Sequence, residues 1–291
     1  MGPLMTAFAT TGPVELTVDL SIRSDIWITA VDSAEATVTV RPRNPARSLD
    51  ATAAASIAVD FADNRLRVGF THLRLRNWLS DGGAVDVTIE VPIGSSLDLS
   101  SGMGTLDADG EFGAAVLRTG MGAVRIDQCG SLKVKTGQGD ITVGGSTGQT
   151  DLTTGTGKVR VGAIEGSAVI KNANGETQIG SVSDSLKVNA ANGDILINRA
   201  DGDITVKASN GSVHIGDTGR GALTLATAAG AITVGIRPGA AAWLDLNTKF
   251  GRVRNTLAAG DGPAPSGDTV QVRARSSYGD ISVHRSERSE S

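Results

Sequence analysis

The sequence holds almost nothing from which to build a disulfide or a soft-metal site. Of its 291 residues one is cysteine, Cys129, and three are histidines, His72, His214 and His284, spread along the chain. A lone cysteine closes no internal bridge, and ligands so scattered do not make the clusters that hold zinc. Aromatic residues amount to 3%, so a wide core filled by large rings is excluded. Prolines number 8 against 38 glycines, without the every-third-residue period of collagen. No apolar run approaches the roughly 18 residues of a membrane-spanning helix. The net charge of −4, with 20% charged residues, argues against both disorder and a broad electrostatic grip on nucleic acid. The start, MGPLMTAFATTGPVEL, lacks the basic and apolar regions of a secretory leader. These absences predict a cytoplasmic protein that neither inserts into a membrane nor binds nucleic acid.

What is abundant is repeated. Turn glycines stand at Gly104, Gly122, Gly139, Gly157, Gly175, Gly193, Gly211, Gly230, Gly251 and Gly279. Successive differences are 18, 17, 18, 18, 18, 18, 19, 21 and 28 residues. Each is followed by a short alternating segment such as GDITVG, GKVRVG or GDILIN, and about halfway to the next glycine comes a second one, such as GSLKVK or GDITVK. Within these segments Ile141 and Val143, Val159 and Val161, Ile195 and Ile197, Ile204 and Val206, and Val213 and Ile215 share one face, because strand side chains alternate. Strands of four to six residues are not stable alone. Stacked coil upon coil they pair their backbones and line an aliphatic core. The expected fold is therefore all-β, a parallel β-solenoid with coils of about 18 residues and atypical strand-rich ends. The pattern by itself does not fix its handedness.

The glycine-rich segments raise two chemical readings. Phosphate cradles need a glycine loop that opens a helix; TGMGAVRI, TGQGDITV and TGTGKVRV open strands. Calcium-binding β-rolls place aspartate two residues after glycine. Here Asp140, Asp194, Asp203 and Asp280 follow it directly, and Ala123, Lys158, Ser212 or Ala231 replace them in other coils. A stack of ions needing several oxygen ligands each does not tolerate lysine or alanine there. Cys129 reads as a small residue of the turn DQCG. The outward positions Arg125, Thr142, Arg160, Gln178, Leu196, His214 and Thr233 are too mixed for recognition of a regular lattice. No catalytic, cofactor-binding or metal-binding residue is expected.

The ends differ from the coils. Residues 1–13 read as a flexible N-terminus. Residues 14–99 form a β-rich portion with strands near Glu15–Leu20, Ile26–Ala30 and Ala36–Arg41, a hairpin-like FADNRL, and the strand-forming GAVDVTIEVPIGSSLDLS. Arg65, Arg67, Arg74 and Arg76 with Phe70 and Trp78 make the most basic local patch. The repeats occupy 100–285, with an extruded loop at 258–268, and 286–291 is a polar tail. Trp243 and Phe250 are expected to bring bulk to an otherwise aliphatic core, as a wider or capping coil would, and the loop lies in the coil between Gly251 and Gly279.

The segments TGMGAVRI, TGQGDITVGG, TGTGKVRVGAIEGSAVIKNANGETQIG and VNAANGDILI, closed by AAWLDLNTKFGRVRN and RARSSYGDISVHRS, resemble the bacterial putative-adhesin / DUF4097 β-strand-repeat family in its actinobacterial form, over about Val14 to Arg285. The resemblance implies a single-stranded right-handed β-helix with neither catalytic residues nor a cofactor. The function expected is a non-enzymatic structural or protein-interaction module, with a protein or a second copy as partner. A cell-surface adhesin or carbohydrate-binding protein is the alternative. A polysaccharide-active β-helix enzyme is the more remote one; Asp127, Asp151, Glu165 and Asp184 are its candidate carboxylates, if two of them meet in a cleft.

Overall fold

A computed structural model describes residues 4–70, 83–257 and 268–286. The chain forms two compact units, Met1–Gly144 and Gly145–Ser291. The first contains β1 (Leu4–Ala9), β2 (Glu15–Val31), β3 (Glu35–Pro42), α1 (Ser48–Ala55), β4 (Ile57–Ala62), β5 (Arg65–Phe70), β6 (Ala84–Pro92), β7 (Ser96–Met103), β8 (Leu106–Phe112), β9 (Ala115–Met121), β10 (Val124–Cys129), β11 (Leu132–Gln138) and the start of β12 (Ile141–Ser146), which runs past its last residue. The second contains β13 (Thr150–Thr156), β14 (Val159–Ile164), β15 (Ala168–Asn174), β16 (Thr177–Val182), β17 (Leu186–Asn192), β18 (Ile195–Ala200), β19 (Ile204–Asn210), β20 (Val213–Thr218), β21 (Gly221–Ala229), β22 (Ile232–Ile236), β23 (Ala241–Phe250), β24 (Val253–Asn255), β25 (Thr269–Tyr278) and β26 (Ile281–Arg285). The fold is all-β but for α1, and its coils pair in parallel.

In the second unit strands pair with their equivalents one coil on: Leu152 lies opposite Ile170, Ile170 opposite Val188 and Val188 opposite Val206. On the other face Val161 meets Ile179, Ile179 meets Ile197 and Ile197 meets Ile215. All of these side chains are buried. Burial of one such side chain stabilises by about 2 kcal/mol, so the aliphatic column is the main favourable term.

The turn glycines are required by both conformation and space. Gly139 has φ 150°, and a Cβ there would lie 1.9 Å from the Gly122 carbonyl oxygen. The same holds at Gly193, with φ 131° and 2.1 Å from the Gly175 oxygen. An L side chain is therefore excluded by its own backbone and by the coil beneath it.

Three residues before most turn glycines stands a hydroxyl or amide that faces inward. Thr136 donates to the Gly122 carbonyl, Thr227 to Gly211 at 3.0 Å, Ser276 to Gly230 at 3.0 Å and Thr248 to Gly279 at 2.9 Å. Asn172 holds the same place before Gly175 and donates to the Gly157 and Gly175 carbonyls. These are the T of TGQG and its relatives, a signal present in the sequence but masked by the attention the glycines draw.

In the first unit β2 alone makes a whole coil. Its first half lies between β5 and β7, its second between β6 and β8, with the register shifting between Leu20 and Arg23. The two strands expected at Glu15–Leu20 and Ile26–Ala30 are thus one continuous element. Residues 4–9, within the segment expected to be flexible, form β1 antiparallel to β3. β3 is antiparallel to β6, and β4 to β5 through Asp63 and Asn64, both at positive φ, inside the FADNRL segment. Helix α1 has no counterpart in the sequence reading, because SLDATAAA is short and alanine-rich and shows no apolar stripe. Asp50, in its first turn, is buried; its carboxylate accepts the Asn44 N–H at 3.1 Å and the Ala84 N–H at 3.0 Å. Arg47 lies 3.7 Å away.

The closing coils of the second unit do not stack in chain order. β25 pairs with β21 on one side and β23 on the other, and β26 likewise lies between β22 and β24. Gly230 N–H donates to Tyr278 O and Gly279 N–H to Phe250 O, so Gly279 follows Gly230 in space and Gly251 lies beyond both. The last coil of the chain is inserted beneath the one that precedes it. Trp243 and Phe250, expected to fill a wide core, are instead 52% and 63% exposed. Trp243 occupies an outward position of an alternating strand, and Phe250 ends the strand. The loop expected at 258–268 lies, but for residue 268, outside the described residues.

Candidate binding surface

The turn aspartates that suggested calcium have backbone partners. Asp194 accepts the Ser212 N–H at 2.7 Å, Asp203 the Ala222 N–H at 2.9 Å and Asp280 the Arg252 N–H at 2.9 Å. Asp25 does the same for Thr105 in the first unit. An aspartate placed directly after the turn reaches the N–H of the same position in the neighbouring coil. Among the described residues no three His, Cys, Asp or Glu side chains converge as a metal site would require.

The carboxylates weighed for polysaccharide cleavage in the second unit lie in different columns. Asp151 lies on β13 opposite Val169, the Glu165 N–H donates to Ser146 O, and Asp184 stacks against Gly202. Asp127 belongs to the first unit, where its carbonyl faces Gly144. Cys129 ends β10 with a buried side chain, and burial pushes its thiol up to about 11. A thiol so protonated at neutral pH is a poor nucleophile. His214 is exposed on β20; partial burial, and then the charge of His284, lower its pKa. Arg65 pairs with Glu15 at 2.8 Å, and Arg67 lies beside it on β5. Arg74, Arg76, Trp78 and His72 lie outside the described residues.

A cluster that the sequence reading missed surrounds Arg237, where the chain leaves β22. Its guanidinium meets Asp201 at 2.8 Å and Asp217 at 2.5 Å. Ser286 donates to the other Asp217 oxygen at 2.7 Å, and Arg285 donates to the Arg237 and Ala240 carbonyls. Burial alone would raise the Asp217 pKa. The hydrogen bonds from Arg237 and Ser286, with the charges of Arg237 and Arg199, outweigh it and hold the carboxyl below its ordinary value. The cluster joins the crossover toward β23 to the end of β26, so it fixes the branch point of the exchanged coils. Its sequence signal, one arginine before PG, is too common to be singled out.

The outward faces of the closing coils carry the features best suited to a ligand. Register sets Lys207 beside Ala226, Ala226 beside Arg275 and Arg275 beside Asn247. Alanine between two long cations leaves a hollow of about 610 Å³, bordered also by Lys249 and floored by Ala208, Ala228 and Ser277. Beside it Phe250 and Tyr278 stack with ring centroids 4.9 Å apart and planes at 11°, and Tyr278 is 61% exposed.

The model of the family described as Toastrack DUF4097 matches residues 14–283. The chain belongs to this family. No curated protein matches it. Among solved structures, a putative adhesin from Parabacteroides merdae matches at 13% identity and TM-score 0.38, covering 97% of this chain and 96% of that one. A putative adhesin from Parabacteroides distasonis matches at 12% identity and TM-score 0.39, with 97% of both chains covered. A putative lipid binding protein from the same organism matches at 11% identity and TM-score 0.38, again over 97% of each. The expected cytoplasmic location is corrected by these matches, which carry names of adhesion and lipid binding. That expectation rested on the absence of a leader at residue 1, which does not locate a protein. No helix among the described residues is long and apolar enough to cross a membrane.

Proposed function

We propose that this DUF4097 chain is a non-enzymatic, right-handed parallel β-helix with coils of about 18 residues. It presents the outward face of its closing coils to a carbohydrate ligand, as a surface adhesin would. Parallel crossovers in sheets are overwhelmingly right-handed, which supports the hand. The observation that carries the function is the hollow bordered by Lys207, Lys249 and Arg275 beside the exposed Phe250–Tyr278 pair. A purely architectural stack has no use for exposed stacked rings next to unfilled space between cations. Flat rings suit the apolar face of a sugar, and the cations suit a carboxylate substituent. The ligand class is therefore an acidic glycan.

The test is binding of polygalacturonate and of neutral dextran to immobilised protein. The acidic polymer is expected to bind, more weakly as salt rises, and the Lys207→Ala/Arg275→Ala variant to bind it at least tenfold less well. Equal binding by wild type and variant, or equal affinity for dextran, overturns the reading.

A further inference from the structure

Strand β23 ends the second unit with an open side. Among the described residues its ladder partner is β25, and no strand pairs with its other edge. The core is correspondingly open there: Ala242, Leu244 and Leu246 are half-buried, whereas their register partners Val270, Val272 and Ala274 are fully buried. The Ala241 N–H donates to Asp268 O, so odd-numbered residues of β23 turn their backbone groups toward β25. By the alternation of a strand, residues 242, 244, 246 and 248 point theirs away from β25, where no partner is found among the described residues, while the Phe250 carbonyl is taken by the Gly279 N–H. Ten residues without proline, holding half-exposed leucines, are an unprotected edge of the kind proteins usually block.

We infer that this edge is a dimer interface, occupied by β23 of a second copy running antiparallel across a two-fold axis at Asn247. The sequence of the strand, AAWLDLNTKF, is self-complementary in that register alone. With Asn247 opposite itself, Lys249 of each copy joins Arg273 and Arg275 around the other copy's Asp245, which in its own chain lies 3.1 Å from Arg273 and 3.7 Å from Arg275, so the two-fold makes the pair twice. Centring the strands on Asp245 instead would oppose two like carboxylates. The backbone parity also agrees. Leu246 opposite Thr248 is then a hydrogen-bonded pair built from the outward-pointing groups and made twice by the two-fold, giving about four new backbone bonds. Asn247, Asp245 and Lys249 occupy the non-hydrogen-bonded positions, where Cα atoms approach to about 4.5 Å and side chains interact most strongly. The half-exposed Leu244 and Leu246 join their copies, and the open end of the core is closed. An isologous contact consumes the edge in both molecules, so assembly stops at two.

This inference does not depend on what binds the outward face, and its test contains no ligand. Light scattering coupled to size exclusion is expected to give a mass twice 29.6 kDa for the wild type. Lys249→Glu, which opposes like charges twice, is expected to raise the dimer dissociation constant at least tenfold and to remove the rise of melting temperature with protein concentration that a dimer shows, with circular dichroism unchanged. Under mild oxidation Asn247→Cys is expected to cross-link the dimer, because its Cα separation suits a disulfide, while Asp245→Cys stays uncross-linked. The buried Cys129 does not compete. A monomeric wild type, a dimer indifferent to Lys249→Glu, or cross-linking at 245 rather than 247 overturns the inference.

Discussion

In the first unit β2 has strands on both sides along nearly its whole length, and the strands beyond its neighbours, β1, β3 and β4, run antiparallel. Among the described residues of the second unit β23 has one neighbour, and the pairings run parallel. Antiparallel strands need only a tight turn, so a short stretch such as FADNRL, with Asp63 and Asn64 at positive φ, folds an edge over locally. A parallel coil gains no such closure, because its next strand must travel a full turn before it pairs. The second unit inserts its last coil inside its edge and leaves the preceding one outermost. A change of strand direction is the device that the first unit uses at its edge and that the described strands of the second do not.

The contrast is broken most severely at Asp50. Its carboxylate holds the backbone N–H groups of Asn44 and Ala84 and thereby docks α1 on the antiparallel region. Asp50→Ala strands both donors in a buried site and is expected to cost about 3 kcal/mol in urea unfolding. Asp50→Asn, which keeps one acceptor, is expected to lose less.

The corresponding fastening in the second unit is Arg237, and Arg237→Ala is expected to cost about 2 kcal/mol, measured in the same way. It also carries a pH signature. The folded Asp217 carboxyl titrates below its unfolded value, so its contribution is fully present above the ordinary carboxylate range and is lost as pH falls through the lowered one. Acid unfolding curves of wild type and Arg237→Ala should therefore converge at low pH. Parallel curves throughout would show that the ion pair does not fix the branch point.

Thr227→Val sharpens the comparison with the smallest change. It removes one hydroxyl bond to the Gly211 carbonyl while nearly keeping volume, and about 1 kcal/mol is expected. An effect near zero would mean that the inward hydroxyl column is tolerated by the stack and does not stabilise it.

Much of this was legible in the residues. Ile195, Ile197, Ile204, Val206, Val213 and Ile215 lie in the core where alternation placed them, and the turn glycines stack from Gly104 to Gly139 within the first unit and from Gly157 to Gly230 within the second. The turn aspartates were read as architectural, though not as acceptors for the neighbouring coil. Trp243 and Phe250 were misplaced because bulk was taken as a sign of interior, whereas position along the alternating strand and exposure at an edge decided it. The binding hollow was invisible, since Lys207, Arg275 and Lys249 lie on three strands far apart in sequence.

The sequence by itself determined the coil: alternation selects the inward face, and a glycine at positive φ beneath another carbonyl permits no substitute. It did not determine which coil rests on which. Every coil offers the same evenly spaced parallel hydrogen bonds and the same aliphatic column, so the ladder accepts either the 241–255 segment or the 269–285 segment next to β21 and β22. Only the tertiary structure resolved that choice. The Arg237 cluster ties the crossover to the C-terminal strand, and that bond forms only when the later coil lies inside.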